Sequence, residues 1–177
     1  MQEFHSFPPI VPAQADILIL GSMPGIRSIK DKQYYAHPQN AFWPMLASIY
    51  ASHLKEEELE KWKQGRHHQI AFRQKHRLLE QAHIALWDAL SSCQRQNSAD
   101  HSIRNASCNP IADLVKRTGI RNILLNGRKS SALFHKNITP DSGFRVFTLP
   151  SSSPAHAALT FQEKLKIWKA TLENASG

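Results

Sequence analysis

A chain of 177 residues with 41% apolar content is long enough for one domain with its own core. Its 22 Lys and Arg against 14 Asp and Glu give a formal charge of +8, which points toward polyanions such as nucleic acid. Cys93 and Cys108 stand alone without a CxxC pair, which excludes a zinc ribbon or a four-cysteine iron–sulfur cluster built from this chain and fits a reducing cytoplasm.

In chain order, MQEFHSFPPIVPAQAD has no charged segment followed by an apolar one, so no signal peptide is expected. No apolar run approaches membrane-spanning length, and a soluble cytoplasmic protein without a membrane partner is expected. Pro8, Pro9 and Pro12 make residues 1–15 an extended arm. Residues 16–20 (DILIL) form a continuously apolar run, as in a strand covered on both faces, and the stretch from Gly21 to Gly25 breaks it. From Asn40 to Leu54 the apolar positions recur at helical spacing. Residues 55–83 are charged and helical in character, divided at Gly65; the cationic residues from Arg66 to Arg77 form either a phosphate-facing stripe or a solvated face.

A second strand is expected over 84–87, ending at Asp88. Residues 91–109, rich in Ser, Asn and Gln, predict a long loop, and Pro110 then suits the first turn of a helix. Further strands are expected at 121–125 and 144–149, with a helix over 128–135 between them. After the loop PSSSPAHA, a final amphipathic helix covers about 160–172. Strands alternating with helices imply a single α/β domain with a largely parallel sheet. Ligands bind beyond the carboxyl ends of such strands, where every unusual loop of this chain lies.

The chemistry available to those loops is narrow. GSMPG has neither the GxGxxG spacing nor a GKS/T ending, so it is either a tight turn or a row of backbone N–H groups facing a ligand. Ser151, Ser152 and Ser153 are not in a GxSxG elbow, and the ten histidines contain no HExxH pattern. Neither a serine triad nor a metal site is expected, and no cofactor is called for.

The motifs GSMPGIRS, YYAHPQNAFW, ALWD, LLNGRKSSALF and LPSSSPAHA, in that order, resemble the uracil-DNA glycosylase superfamily and, within it, the hypoxanthine-DNA glycosylase group. The resemblance covers residues 17–161 and all four strand-end loops. It implies a three-layer α/β/α fold with a four-stranded parallel sheet in the order 2-1-3-4. It also implies cleavage of the N-glycosidic bond of a damaged base in DNA without a metal or cofactor; hypoxanthine, from deoxyinosine, is the expected base, and a monomer is expected. A broader uracil or xanthine glycosylase and a non-catalytic DNA-binding module are the alternatives.

Two departures from relatives carry information. Met23 stands where mismatch-specific uracil relatives have an asparagine and the larger uracil group has an aspartate with a similar task. Leu149 stands where the larger group has a histidine on the uracil carbonyl. Both point away from uracil. The hypoxanthine group takes its catalytic asparagine from HPxNxFW, which maps onto Asn40; without the resemblance, Asn40 is a helix cap, and the two roles are compatible. The resemblance further implies a base pocket formed by Gly21, Ser22, Met23, Pro24, Tyr35 and Asn126, with Tyr35 as the stacking platform. Asp88 either reads a base N–H, orients water or is an exposed strand-end residue. Ser151, Ser152, Ser153 and His156 are the expected DNA contacts.

Overall fold

The computed structural model describes residues 2–95, 104–138 and 143–177. Its centre is a parallel sheet of β2 (Ile17–Gly21), β3 (Ile84–Asp88), β6 (Asn122–Asn126) and β7 (Arg145–Leu149), ordered β3-β2-β6-β7. Counted over these four strands alone the order is 2-1-3-4, as expected. β2 pairs in register with both β3 and β6, Leu20 lying beside Trp87 and Leu125, so their carboxyl ends finish level.

Alternation along each strand sorts the core into two layers. Ile17, Ile19, Leu86 and Leu124 face one side. There they meet α2 (Phe42–Tyr50), α4 (Phe72–Ala82) and α7 (Phe161–Ser176) through Trp43, Leu79 and Trp168. Leu18, Leu20, Ile123 and Leu125 face the other side, toward α5 (Ile111–Arg117) and α6 (Arg128–Asn137) through Leu114 and Phe134. Each fully buried aliphatic side chain contributes roughly 1.5–3 kcal/mol relative to exposure. Both faces of β2 are therefore committed to packing, which is why its sequence is an unbroken apolar run.

Two expectations change. The long loop over 91–109 is not a loop in its described parts: β4 (Leu90–Arg95) and β5 (Arg104–Cys108) form an antiparallel pair, while residues 96–103 lie outside the described residues. Register shifts on either side of Ser92 leave Leu90 and Cys93 as the buried positions of β4, three apart, so no period of two survives in the sequence. The arm completes this second sheet: β1 (Gln2–His5) pairs with β4, and Ile10 bridges Leu86 and covers the edge of β3.

The charged stretch from 55 onward is broken into α3 (Glu56–Leu59), two single 3₁₀ turns and α4, with α1 (Ile26–Asp31) preceding it after the first loop. Its cations do not form one stripe, because Lys75 and His67 are both 0% exposed. Among the described residues no helix is long and apolar enough to cross a membrane.

Candidate active site

A cleft of about 630 Å³ opens at the carboxyl ends of the parallel strands and brings together all the site residues expected from the sequence. Its floor is the junction of β2 and β3. Gly21 and Asp88 are register partners, and a methyl group on Gly21 would overlap the Asp88 carboxylate and lie 3.0 Å from the Tyr35 hydroxyl. Glycine is required because a carboxylate occupies the space above its Cα. Asp88 is only 2% exposed, so the exposed strand-end reading is overturned. Its backbone is fixed by Asn109, whose Nδ2 donates to the carbonyls of Asp88 (2.8 Å) and Leu90 (3.0 Å).

The first loop continues from this floor. The amides of Ala89 and Leu90 donate to the carbonyls of Gly21 and Ser22, tying the loop to the chain beyond β3. Met23 lines the cleft, yet it also packs with Phe4, Leu90 and Cys93 against the antiparallel sheet. A thioether has no strong donor or acceptor, so this position supplies shape and not proton chemistry.

One wall is the segment 33–41. The Asn40 Oδ1 accepts from the Phe42 N–H (3.0 Å), which locks the carboxamide at the start of α2. That bond takes one of two acceptor positions on the oxygen. The residue is 9% exposed and lines the cleft. Tyr35 stacks on Phe42 with centroids 4.0 Å apart and planes 18° apart, and adopts φ 52°, a region aromatic residues seldom enter. Burial first, and the Asp88 charge second, hold the Tyr35 hydroxyl far above its usual range, so it stays protonated. Tyr34 is core: its hydroxyl donates to the Pro8 carbonyl, and its own carbonyl accepts from the Trp43 indole.

The opposite wall joins the ends of β6 and β7. The Asn126 Nδ2 donates to the Ser152 hydroxyl and its Oδ1 accepts from the Ser152 N–H, both at 2.9 Å. The Ser152 carbonyl in turn accepts from Ala41 N–H (3.0 Å), so one serine links both walls. Ser152 is 1% exposed with its N–H and hydroxyl engaged inside the protein, which removes it from the expected surface contacts. Asn126 is likewise engaged at both ends of its amide. Gly127, at φ 94°, passes so close to Ser151 that a side chain there would collide with it.

Ser151, Ser153 and His156 remain on the cleft's rim. Ser151 Oγ accepts from Ser153 N–H and Ser153 Oγ from Ala155 N–H, giving the loop an internal frame. From beneath, the indole of Trp168 donates to the Pro150 carbonyl and the buried ammonium of Lys164 to the His156 carbonyl.

Arg27, Arg128 and Lys129 also line the cleft, and sequence reasoning missed them. Arg27 pairs with Asp31 at 2.5 Å, while Arg128 and Lys129 open α6. Two cations in the first turn oppose the helix dipole, which favours anions there. A basic pair directly after Asn126–Gly127 at a strand end was the available signal: it breaks a local rule where an incoming anion would restore it.

A sequence model described as Uracil DNA glycosylase superfamily matches residues 8–172. A protein named hypoxanthine DNA glycosylase from Methanosarcina barkeri is 32% identical over 153 residues, 86% of this chain and 87% of that protein. A protein of the same name from Methanosarcina acetivorans is 28% identical over 171 residues, 96% and 98% of the two chains. The solution NMR structure of a Methanosarcina acetivorans protein, provisionally named a uracil DNA glycosylase, superposes with a TM-score of 0.75 at 26% identity, covering 99% of this chain and 100% of that one.

Proposed function

The chain belongs to the uracil DNA glycosylase superfamily, and from that premise we propose that it hydrolyses the N-glycosidic bond of deoxyinosine in DNA, releasing hypoxanthine and leaving an abasic site. The observation that carries the reading is the pairing of an inert Met23 in the first loop with Asn40 on the cleft wall. The two relatives named for hypoxanthine support the choice of base.

In this mechanism Asn40 acts through the acceptor position its capping bond leaves open. Capping and catalysis are one arrangement, because the Phe42 N–H fixes the oxygen that then accepts from a water. The water oxygen forms the bond to C1′ as the C1′–N9 bond breaks; the electron pair leaves with the purine, and the proton the water sheds passes through solvent to that purine anion. An amide is a weak base, so most of the acceleration must come from stabilising an oxocarbenium-like sugar and the departing purine anion. Tyr35, backed by Phe42, is the stacking platform for the flipped base. Gly21, Ser22, Met23 and Pro24 form the pocket edge, and Asn126 positions the opposite wall.

Ser151, Ser153 and His156 contact the DNA strand together with Arg27, Arg128 and Lys129. These contacts set register and affinity and carry no base information. With water as nucleophile, no strand scission is expected. Borohydride trapping checks that Lys129, on the cleft rim, forms no Schiff base.

The test is single-turnover release from duplexes carrying deoxyinosine, deoxyuridine or deoxyxanthosine, with matched opposing bases. Deoxyinosine is expected to be the preferred substrate, and Asn40→Ala to slow its release by about a hundredfold to a thousandfold. Unchanged release by the variant removes Asn40 from the mechanism; preferred release of uracil removes the deoxyinosine assignment.

A further inference from the structure

The cleft floor offers a reader for the difference between a deaminated base and its parent. Deamination of adenine replaces the 6-amino group with a carbonyl and converts N1 from an acceptor into an N–H donor. An ionised carboxylate only accepts hydrogen bonds. Asp88 presents its carboxyl group above Gly21, beside the Tyr35 hydroxyl, within the same cleft as Asn40, and is almost fully buried. Three features hold it there: the β2–β3 register, the missing side chain at Gly21, and the Asn109 bonds that fix its backbone.

We propose that Asp88 is the specificity-determining residue of this site, accepting a hydrogen bond from the N1–H that hypoxanthine carries and adenine lacks. The assignment rests on the deoxyinosine reading above. Against hypoxanthine it makes a charge-assisted bond in a site shielded from water. Against adenine in the same pose it sets an acceptor facing an acceptor. A site built around one donor rejects an isostere lacking it far better than a shape filter does. Xanthine and uracil also carry an N–H beside a carbonyl and meet the same acceptor, as does thymine, so Asp88 separates hypoxanthine from adenine and pocket shape must reject the normal pyrimidine. Guanine carries N1–H as well, so its exclusion does not depend on Asp88.

The electrostatics define the role further. A carboxylate close to a departing purine anion opposes departure, so Asp88 serves selection of the bound base and not the bond-breaking step. This separates it from a residue that orients water, whose loss would slow chemistry at saturation.

The experiment uses the full chain with Asn40→Ala to prevent turnover, alone and combined with Asp88→Asn. Binding is measured to duplexes carrying deoxyinosine or 1-deazadeoxyinosine, which has C–H in place of N1–H, each opposite thymine. The Asn40→Ala protein is expected to prefer deoxyinosine by about tenfold or more, and Asp88→Asn to abolish most of that preference. Pairing strength of the two duplexes cancels when the proteins are compared. With each base placed opposite an abasic site, so that pairing strength drops out, equal binding of the two duplexes by Asn40→Ala overturns the proposal even where the Asp88 variant fails to fold. Retention of the preference by a folded double variant overturns it too.

In the active background, Asp88→Asn is expected to raise the protein concentration for half-maximal single-turnover release from deoxyinosine by about tenfold, a larger loss than it causes in the rate at saturating protein. A hundredfold loss there, with selectivity intact, assigns Asp88 to water and overturns the proposal. Release of no hypoxanthine by the wild type overturns both readings, whereas normal release with unchanged selectivity overturns this one alone.

Discussion

The two walls of the cleft are built differently. The β6–β7 wall satisfies its own polar groups, with one tie to the other wall through the Ser152 carbonyl: Asn126 and Ser152 exchange two hydrogen bonds, and Ser151 and Ser153 frame the loop beyond. The Asn40 wall rests on buried polar groups with fewer partners. Lys75 lies beneath it with a bond to Gln33 and a place over the Trp43 ring, and the buried His67 ring faces the backbone carbonyls of Pro38 and His37 without a bond of good geometry. Tyr35 holds a left-handed backbone in the same wall. One wall is a self-satisfied frame, and the other carries strain and spare polar capacity. Departures from local rules concentrate where function needs them, which agrees with the proposal that Asn40 carries the chemistry.

The sharpest way to break this contrast is to truncate the two asparagines in parallel. Asn40→Ala is expected to reduce single-turnover release far more than Asn126→Ala, for which about a tenfold loss is expected from a loosened wall. Equal rate losses would erase the distinction between frame and chemistry. Stability is expected to reverse the ranking less dramatically: Asn126→Ala leaves the buried Ser152 N–H unsatisfied and costs about 1–3 kcal/mol in denaturant unfolding.

Acid should find the other wall. Burial, then the neighbouring Lys75 charge, lower the pKa of His67 to about 4 from 6.5. The unfolded chain therefore binds this proton more readily. The neutral ring's contribution is complete above pH 6.5 and is lost as pH falls through 4, amounting to ~3 kcal/mol at most. Melts of wild type and His67→Phe across that window should converge at acid pH. Lys75, lowered by burial to about 8 from 10.5, has the same sign in alkali: stability should rise from pH 8 toward 10.5 and the rise should vanish in Lys75→Met. The smallest effect is expected from Ser153→Ala, a few tenths of a kcal/mol, since its hydroxyl frames an exposed turn.

Much of the architecture was visible in residue pattern because β2 and β3 are buried on both faces and announce themselves as apolar runs. The β4–β5 pair was not, since register shifts scramble its alternation and β5 is exposed along its length. At the site, identity was legible and orientation was not. Three consecutive serines look alike in sequence, yet Ser152 turns inward to Asn126 while its neighbours stay on the rim. Nothing near Asp88 in the chain reveals its burial, because Gly21 and Asn109, which shape its place, are remote in sequence. The basic pair after Gly127 was legible but carried no weight until the fold placed it beside the serine loop.

The overlap of space at Gly21 and Asp88 has a consequence for how this sequence can change. Neither position is free to vary alone: a larger residue at 21 displaces the carboxylate, while a smaller one at 88 leaves a void over the glycine. The two sites behave as one locus split across 67 positions of chain, with strongly non-additive paired substitutions. A lineage that altered which bases it accepts through Asp88 would carry the record of that change in the residue at 21.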